Sequence, residues 1–150
     1  MSHTFTHLLY HVIFSTKDRR PLITRDFQHR LYEYAGGVAK KELGCALALG
    51  GTENHLHALI SLRPPIGVPT AVGKLKSLTT GWVNRTLKPK DRFKWQQGYA
   101  AFTVADSIRP DVESYIAGQA EHHRKVTYEE EFIAFLKRHH IPFDPETMWG

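Results

Sequence analysis

Two rhythms of apolar positions run through this chain, a strand-like one and a helix-like one. Residues 5–16 are rich in β-branched and aromatic types (Phe5, Leu8, Tyr10, Val12, Ile13, Phe14) with apolar side chains on both faces, which reads as a central strand covered on at least one side. Thr24 then offers an N-cap, Asp26 suits a first turn, and Phe27, Leu31, Tyr34 and Val38 recur at helical spacing up to Gly44, a natural stop. Cys45 to Leu49 predicts a short strand, Gly50-Gly51 a turn, and His55 to Leu62 a further strand, together an antiparallel hairpin.

After the break at Arg63-Pro64-Pro65-Ile66-Gly67, the stripe Ala71, Leu75, Leu78, Trp82 marks a second helix, and a fourth strand is expected around Tyr99 to Val104. Pro110, Asp111 and Glu113 open a third helix that carries Val112, Tyr115, Ile116 and Gln119 and is expected to run on to Lys125. A terminal helix from Tyr128 to Arg138 packs Phe132, Phe135 and Leu136, and Ile141 to Trp149 is expected to lie back on the domain as an extended tail. The order βαββαβ predicts an α+β, ferredoxin-like fold: a four-stranded antiparallel sheet with helices on one face, plus C-terminal helices. One domain spanning residues 1–150 is expected, without internal repeat or linker.

Composition narrows the partners. No apolar run approaches the roughly 20 residues that span a bilayer, so no membrane association is expected. The N-terminus lacks a charged-then-apolar signal pattern, which predicts a cytoplasmic protein. The single Cys45 excludes an internal disulfide and a thiolate-rich zinc site, and its apolar neighbours predict a small buried side chain. A formal net charge of +5 favours a polyanionic partner. Lys17, Arg19 and Arg20 cluster after the first strand, while Lys88, Lys90, Arg92 and Lys94 share one loop with Phe93 and Trp95. Cations interleaved with aromatics suit single-stranded nucleic acid; the other reading of that loop has the two rings anchoring it to the core.

Candidate chemistry centres on His55-Leu56-His57. Residues two apart share a strand face, so both imidazoles stand side by side as a two-nitrogen ligand set, although strand histidines are more often hydrogen-bonded core or surface groups. Tyr115 and Gln119, four apart on a predicted helix, also share a face. Tyr115 lies on the stripe of Ile108 and Val112 and reads by default as a core tyrosine with its hydroxyl at the edge, but Gln119 is polar where that stripe should be apolar. Two imidazoles with an amide oxygen form a mixed set with open positions, suited to Mg²⁺ or Mn²⁺ rather than a closed structural zinc site. A phenol is a poor nucleophile at neutral pH and needs such a cation nearby. His122 and His123 offer further ligands or a proton donor, but the preferred reading is of helix-end residues favoured by the dipole. A hydrolase using His55, His57 and Glu53, or a basic binding module without catalysis, remain as other readings of the same residues.

The ordered set of His55-Leu56-His57 and Tyr115-Ile116-x-x-Gln119 resembles the HUH single-tyrosine transposases of the smallest bacterial insertion sequences and their relatives associated with repetitive extragenic palindromes. Tyr10-His11-Val12-Ile13-Phe14-Ser15-Thr16-Lys17 followed by Arg19-Arg20-Pro21-Leu22, Trp95-Gln96-Gln97-Gly98-Tyr99-Ala100-Ala101-Phe102, and Gln119-x-x-His122-His123-Arg124 extend the likeness almost end to end. The resemblance implies a homodimer that merges two sheets, in a bacterial, nucleoid-associated setting. It implies Tyr115 as the catalytic nucleophile on single-stranded DNA near hairpins, through a 5′-phosphotyrosine intermediate. His55, His57 and Gln119 would hold the divalent metal, and no nucleotide cofactor is needed because the covalent link conserves the phosphodiester bond energy. Lys17, Arg19, Arg20, Lys74 and Lys94 are the candidates for DNA contact.

Overall fold

The computed structural model describes residues 2–149. Strand β1 (Leu8–Ser15) is followed by helix α1 (Arg25–Val38), strands β2 (Gly44–Thr52) and β3 (His55–Leu62), helix α2 (Val68–Trp82), strand β4 (Ala100–Thr103), and helices α3 (Arg109–Ala117), α4 (Gln119–His122) and α5 (Tyr128–Arg138). The sheet runs β2-β3-β1-β4 and every pairing is antiparallel. This is the ferredoxin-like order, reached because α1 and α2 each carry the chain past a neighbouring strand.

Both faces of the sheet are covered, and the alternation of β1 and β3 decides what each receives. Val12, Phe14, Leu56, Ala58, Ile60 and Leu62 point to the side where α1 and α2 bring Phe27, Leu31, Ala35, Val72 and Leu75. The opposite parity sends Leu9, Ile13 and Leu59 toward α3 and α5, where Ile116, Tyr128, Phe135 and Leu136 close the second core. His11, His55 and His57 have this same parity and are buried with it.

Three local expectations are corrected, and one of two open readings is decided. Gly50 and Gly51 do not form the hairpin turn; they lie within β2, paired with His57 and Leu56, and the chain reverses at Glu53-Asn54. Cys45 is exposed rather than buried, because β2 is an edge strand of the sheet. The third helix does not run unbroken to Lys125: it stops at Ala117, and Gly118 separates it from α4. Phe93 and Trp95 are not stacking platforms. Both are buried, Trp95 edge-on to Phe14 and Phe93 and its indole N–H donating to Thr79 Oγ1 at 2.9 Å, so the rings anchor the basic loop to the core. The tail does lie back, with Trp149 against Phe132 and Tyr128, but it ends in a turn where Met148 N donates to Asp144 O.

Candidate active site

The site is assembled from β1, β3 and the three C-terminal helices. β3 supplies His55 and His57 on one face, both fully buried, with ring centroids 5.1 Å apart. Asn54 Oδ1 lies 2.8 Å from His55 Nδ1 and can only accept, so that nitrogen carries the proton and Nε2 presents a lone pair. That lone pair faces the carbonyl oxygen of Gln119 at 2.9 Å, two electron-rich atoms converging on one point. Gln119 keeps this orientation because its amide N–H donates to Glu131 Oε2 at 3.0 Å.

Glu131, from α5, is the hub. Its Oε1 is 2.9 Å from His57 Nε2, 3.2 Å from His123 Nε2 and 3.6 Å from His55 Nε2. Its Oε2 accepts from the Tyr115 hydroxyl and lies 3.3 Å from His122 Nε2, which is also 3.3 Å from that hydroxyl. Tyr115 and Gln119 therefore do share a face across the break at Gly118, and both reach the two histidines of β3.

The electrostatics follow from burial and these contacts. Desolvation lowers His55 and His11 to about 3 and also lowers His57, so these imidazoles are neutral. Burial alone would raise Glu131, yet hydrogen bonds from His123, His57 and Tyr115 hold its carboxyl far below the usual range. Burial opposes charge on His123, but Glu131 outweighs it and raises that pKa. With Nδ1 donating to Val126 O at 2.7 Å, His123 turns Nε2 toward Glu131 and Gln119. Desolvation and then the Glu131 contact push the Tyr115 phenol well above its ordinary value, so it sits protonated with its proton aimed at a carboxylate.

This donor set fits a divalent cation. One ligand atom from each of His55, His57, His123 and Glu131 falls within 4.8 Å of the others, and the facing lone pairs of His55 Nε2 and Gln119 Oε1 would be reconciled by a cation between them. A buried group of this kind could bind a metal.

A family model described as "Transposase IS200 like" matches residues 4–119, which include Tyr115 and the His55-x-His57 pair. The chain belongs to the IS200-like transposase family. A chain assigned as a transposase from Deinococcus radiodurans R1 superposes at a TM-score of 0.59 with 22% identity, over 79% of this chain and 96% of that one. A REP-associated tyrosine transposase bound to a REP hairpin superposes at 0.54 with 13% identity, over 83% of this chain and 74% of that one. Both likenesses show the fold. No curated protein matches the chain significantly.

Two groups of this transposase's site escaped the sequence reading. Glu131 lies beyond the matched span, yet its signal was present: it shares the stripe of Tyr128 and Phe135, where a carboxylate must either be exposed or be paired. His123, read as a helix-end residue, is turned into the site because Gly118 restarts the helix.

Among the basic residues, Lys17, Arg19, Arg20 and Lys94 gather at the end of the sheet where β3 begins, with Lys17 N donating to Lys94 O at 2.9 Å. Arg19 is partly engaged, its guanidinium 4.8 Å from the Trp149 ring and 3.7 Å from Glu129. Lys74 stands apart, 3.4 Å from Glu42, which leads into the opposite end of the sheet. Glu53 donates nothing to the cluster from its side chain; its backbone carbonyl accepts from Ile23 N.

Proposed function

We propose that this transposase cuts and rejoins single-stranded DNA beside hairpins, with Tyr115 as nucleophile. One observation carries the reading: the Tyr115 hydroxyl and the His57 imidazole meet on the same carboxylate, Glu131, so nucleophile and ligand set form one unit. The phenol oxygen attacks phosphorus, its proton passes to Glu131, and the bond from phosphorus to the 3′-oxygen breaks. The products are a 5′-phosphotyrosine link and a 3′-hydroxyl once that oxygen has taken up a proton. Attack of a 3′-hydroxyl on the link reverses the exchange, and no nucleotide cofactor is consumed.

His55, His57 and Glu131, with Gln119 beside them, would hold Mg²⁺ or Mn²⁺, and His123 would neutralise the hub carboxylate. Bound there, the cation supplies Lewis-acid polarisation of the scissile phosphate. Burial by Tyr128, whose ring lies tilted against His55 at 4.5 Å, and by Phe135 keeps water from competing with the phenol. Lys17, Arg20 and Lys94 are placed to track the backbone, with Arg19 joining if Trp149 releases it and Lys74 at the far end. A homodimer that merges two sheets belongs to the same reading.

The test is incubation with Mn²⁺ and end-labelled single-stranded oligonucleotides containing a hairpin, followed by denaturing gels. Label trapped on protein at Tyr115, and lost in Tyr115→Phe, is the expected result. Free ends without a protein adduct would identify a hydrolase. Metal-independent binding without any cleavage would identify a binding module.

A further inference from the structure

The two strand histidines are held from behind by different kinds of group. His55 Nδ1 meets Asn54 Oδ1, an obligate acceptor, at 2.8 Å and Thr52 Oγ1 at 3.0 Å, so the groups behind this ring favour the tautomer with Nε2 as the lone pair. His57 Nδ1 instead meets Nε2 of His11, at 2.7 Å. An imidazole can take either role, donor or acceptor, in such a contact. His11 comes from the middle of β1, is 3% exposed, and stands edge-on to Phe135 and Tyr115, so it has little freedom to turn away.

The other side of His57 decides which role is needed. Its Nε2 faces the Glu131 carboxylate, which accepts only. A neutral His57 therefore carries its proton on Nε2 when that contact is made, and Nδ1 must accept from His11. For Nε2 to bind a metal the proton must sit on Nδ1, and the same hydrogen bond must run the other way, into His11. The balance closes without an added group: His57 loses the proton on Nε2 and gains one on Nδ1, while His11 moves its own from Nε2 to Nδ1.

We propose that His11 is a positioning residue that lets His57 exchange tautomers, its hydrogen bond reversing direction when a divalent cation takes His57 Nε2. This rests on the reading of His55, His57 and Glu131 as a metal site. The pair is a conditional ligand, whereas His55 is a permanent one. A carboxylate or carbonyl behind His57 would fix the ligand tautomer and forbid the contact with Glu131; an apolar group would leave Nδ1 unpaired in both states.

The experiment is titration calorimetry with Mn²⁺ alone on the wild type, His11→Phe and His11→Gln, with thermal melts to establish folding. Glutamine can donate through its N–H or accept through its carbonyl, so it preserves both directions. Expected are a loss of about 10–100-fold in Mn²⁺ affinity for His11→Phe and recovery to within a few-fold of wild type for His11→Gln. Nitrogen-15 spectra of the wild-type imidazoles give a second readout that needs no variant. His57 should carry its proton on Nε2 without metal and on Nδ1 with diamagnetic Zn²⁺. Equal Mn²⁺ affinity in wild type and His11→Phe, glutamine as weak as phenylalanine, or an unchanged His57 tautomer would each overturn the inference. A wild type that binds no Mn²⁺ or Zn²⁺ would instead remove the metal-site reading on which it stands.

Discussion

Gly50 lies directly beneath the carbonyl of Ile116: a Cβ added at this position would sit 2.3 Å from that oxygen. Gly50 is paired with His57 across β2 and β3, and Ile116 follows Tyr115 on α3. The missing side chain therefore sets how closely the nucleophile's helix approaches the strand that carries the ligands. Gly50→Ala must lift α3, with an expected cost of about 1–3 kcal/mol, read as a melting temperature lower by several degrees. Cleavage should fall further than stability does, since Tyr115 moves off Glu131. Gly37→Ala is the control: nothing lies within 4 Å of its added Cβ, it sits inside α1, and it should stabilise by about 0.5–1 kcal/mol without touching activity.

Glu131 is buried with two imidazoles, a phenol and an amide all directed at it. Glu131→Ala leaves the Tyr115 hydroxyl, the Gln119 amide and the His57 imidazole without their acceptor and should cost about 1–3 kcal/mol. Glu131→Gln keeps the volume and one acceptor, so it should fold but lose Mn²⁺ binding. In the wild type, Mn²⁺ at about 100 times its dissociation constant should add about 2.7 kcal/mol of stability. The check is a thermal melt with Mn²⁺ and with EDTA: the wild type should shift by several degrees and Glu131→Gln should not.

These two positions show where sequence reasoning succeeds and stops. The strand and helix order is legible because β1 and β3 are continuous apolar runs buried on both faces, while α1, α2 and α5 carry apolar stripes at helical spacing. His55 and His57 are legible because they share one strand, and Tyr115 and Gln119 because the break at Gly118 still leaves residues four apart on a common face. Glu131 and His11 are not, because their roles exist only once three separate elements pack. Gly50 was misread for a related reason: a double glycine signals a turn locally, and only the arrival of α3 explains why a strand needs it.

Lys17 and Lys94 flank the site end of the sheet, and Lys94 has no carboxylate partner among the described residues. Each phosphate contact on single-stranded DNA contributes about 0.7 to the slope of log affinity against log salt. Replacing both by alanine should therefore flatten that slope by about 1.4 and weaken oligonucleotide binding at low salt. Lys74→Ala, at the far end beside Glu42, should change it far less. Fluorescence anisotropy across a salt series distinguishes the two, and equal slopes for all three proteins would place the DNA elsewhere.

Lys76 reaches from α2 to the carbonyls of Gln96 and Gly98 and pins the loop that leads into β4. Burial lowers its ammonium from 10.5 to about 8. Between those values the unfolded chain binds a proton that the folded chain has shed, so this group makes stability rise with pH across that window, and its penalty is present in full below pH 8. Solvent screening at a half-exposed site reduces the effect to about 1 kcal/mol. Lys76→Met removes the titration but leaves every tyrosine in place, so the difference between the two proteins isolates it. Urea unfolding below pH 8 and near about pH 10 should show the wild type gaining on the variant by that amount; a constant difference would mean the ammonium keeps its proton throughout.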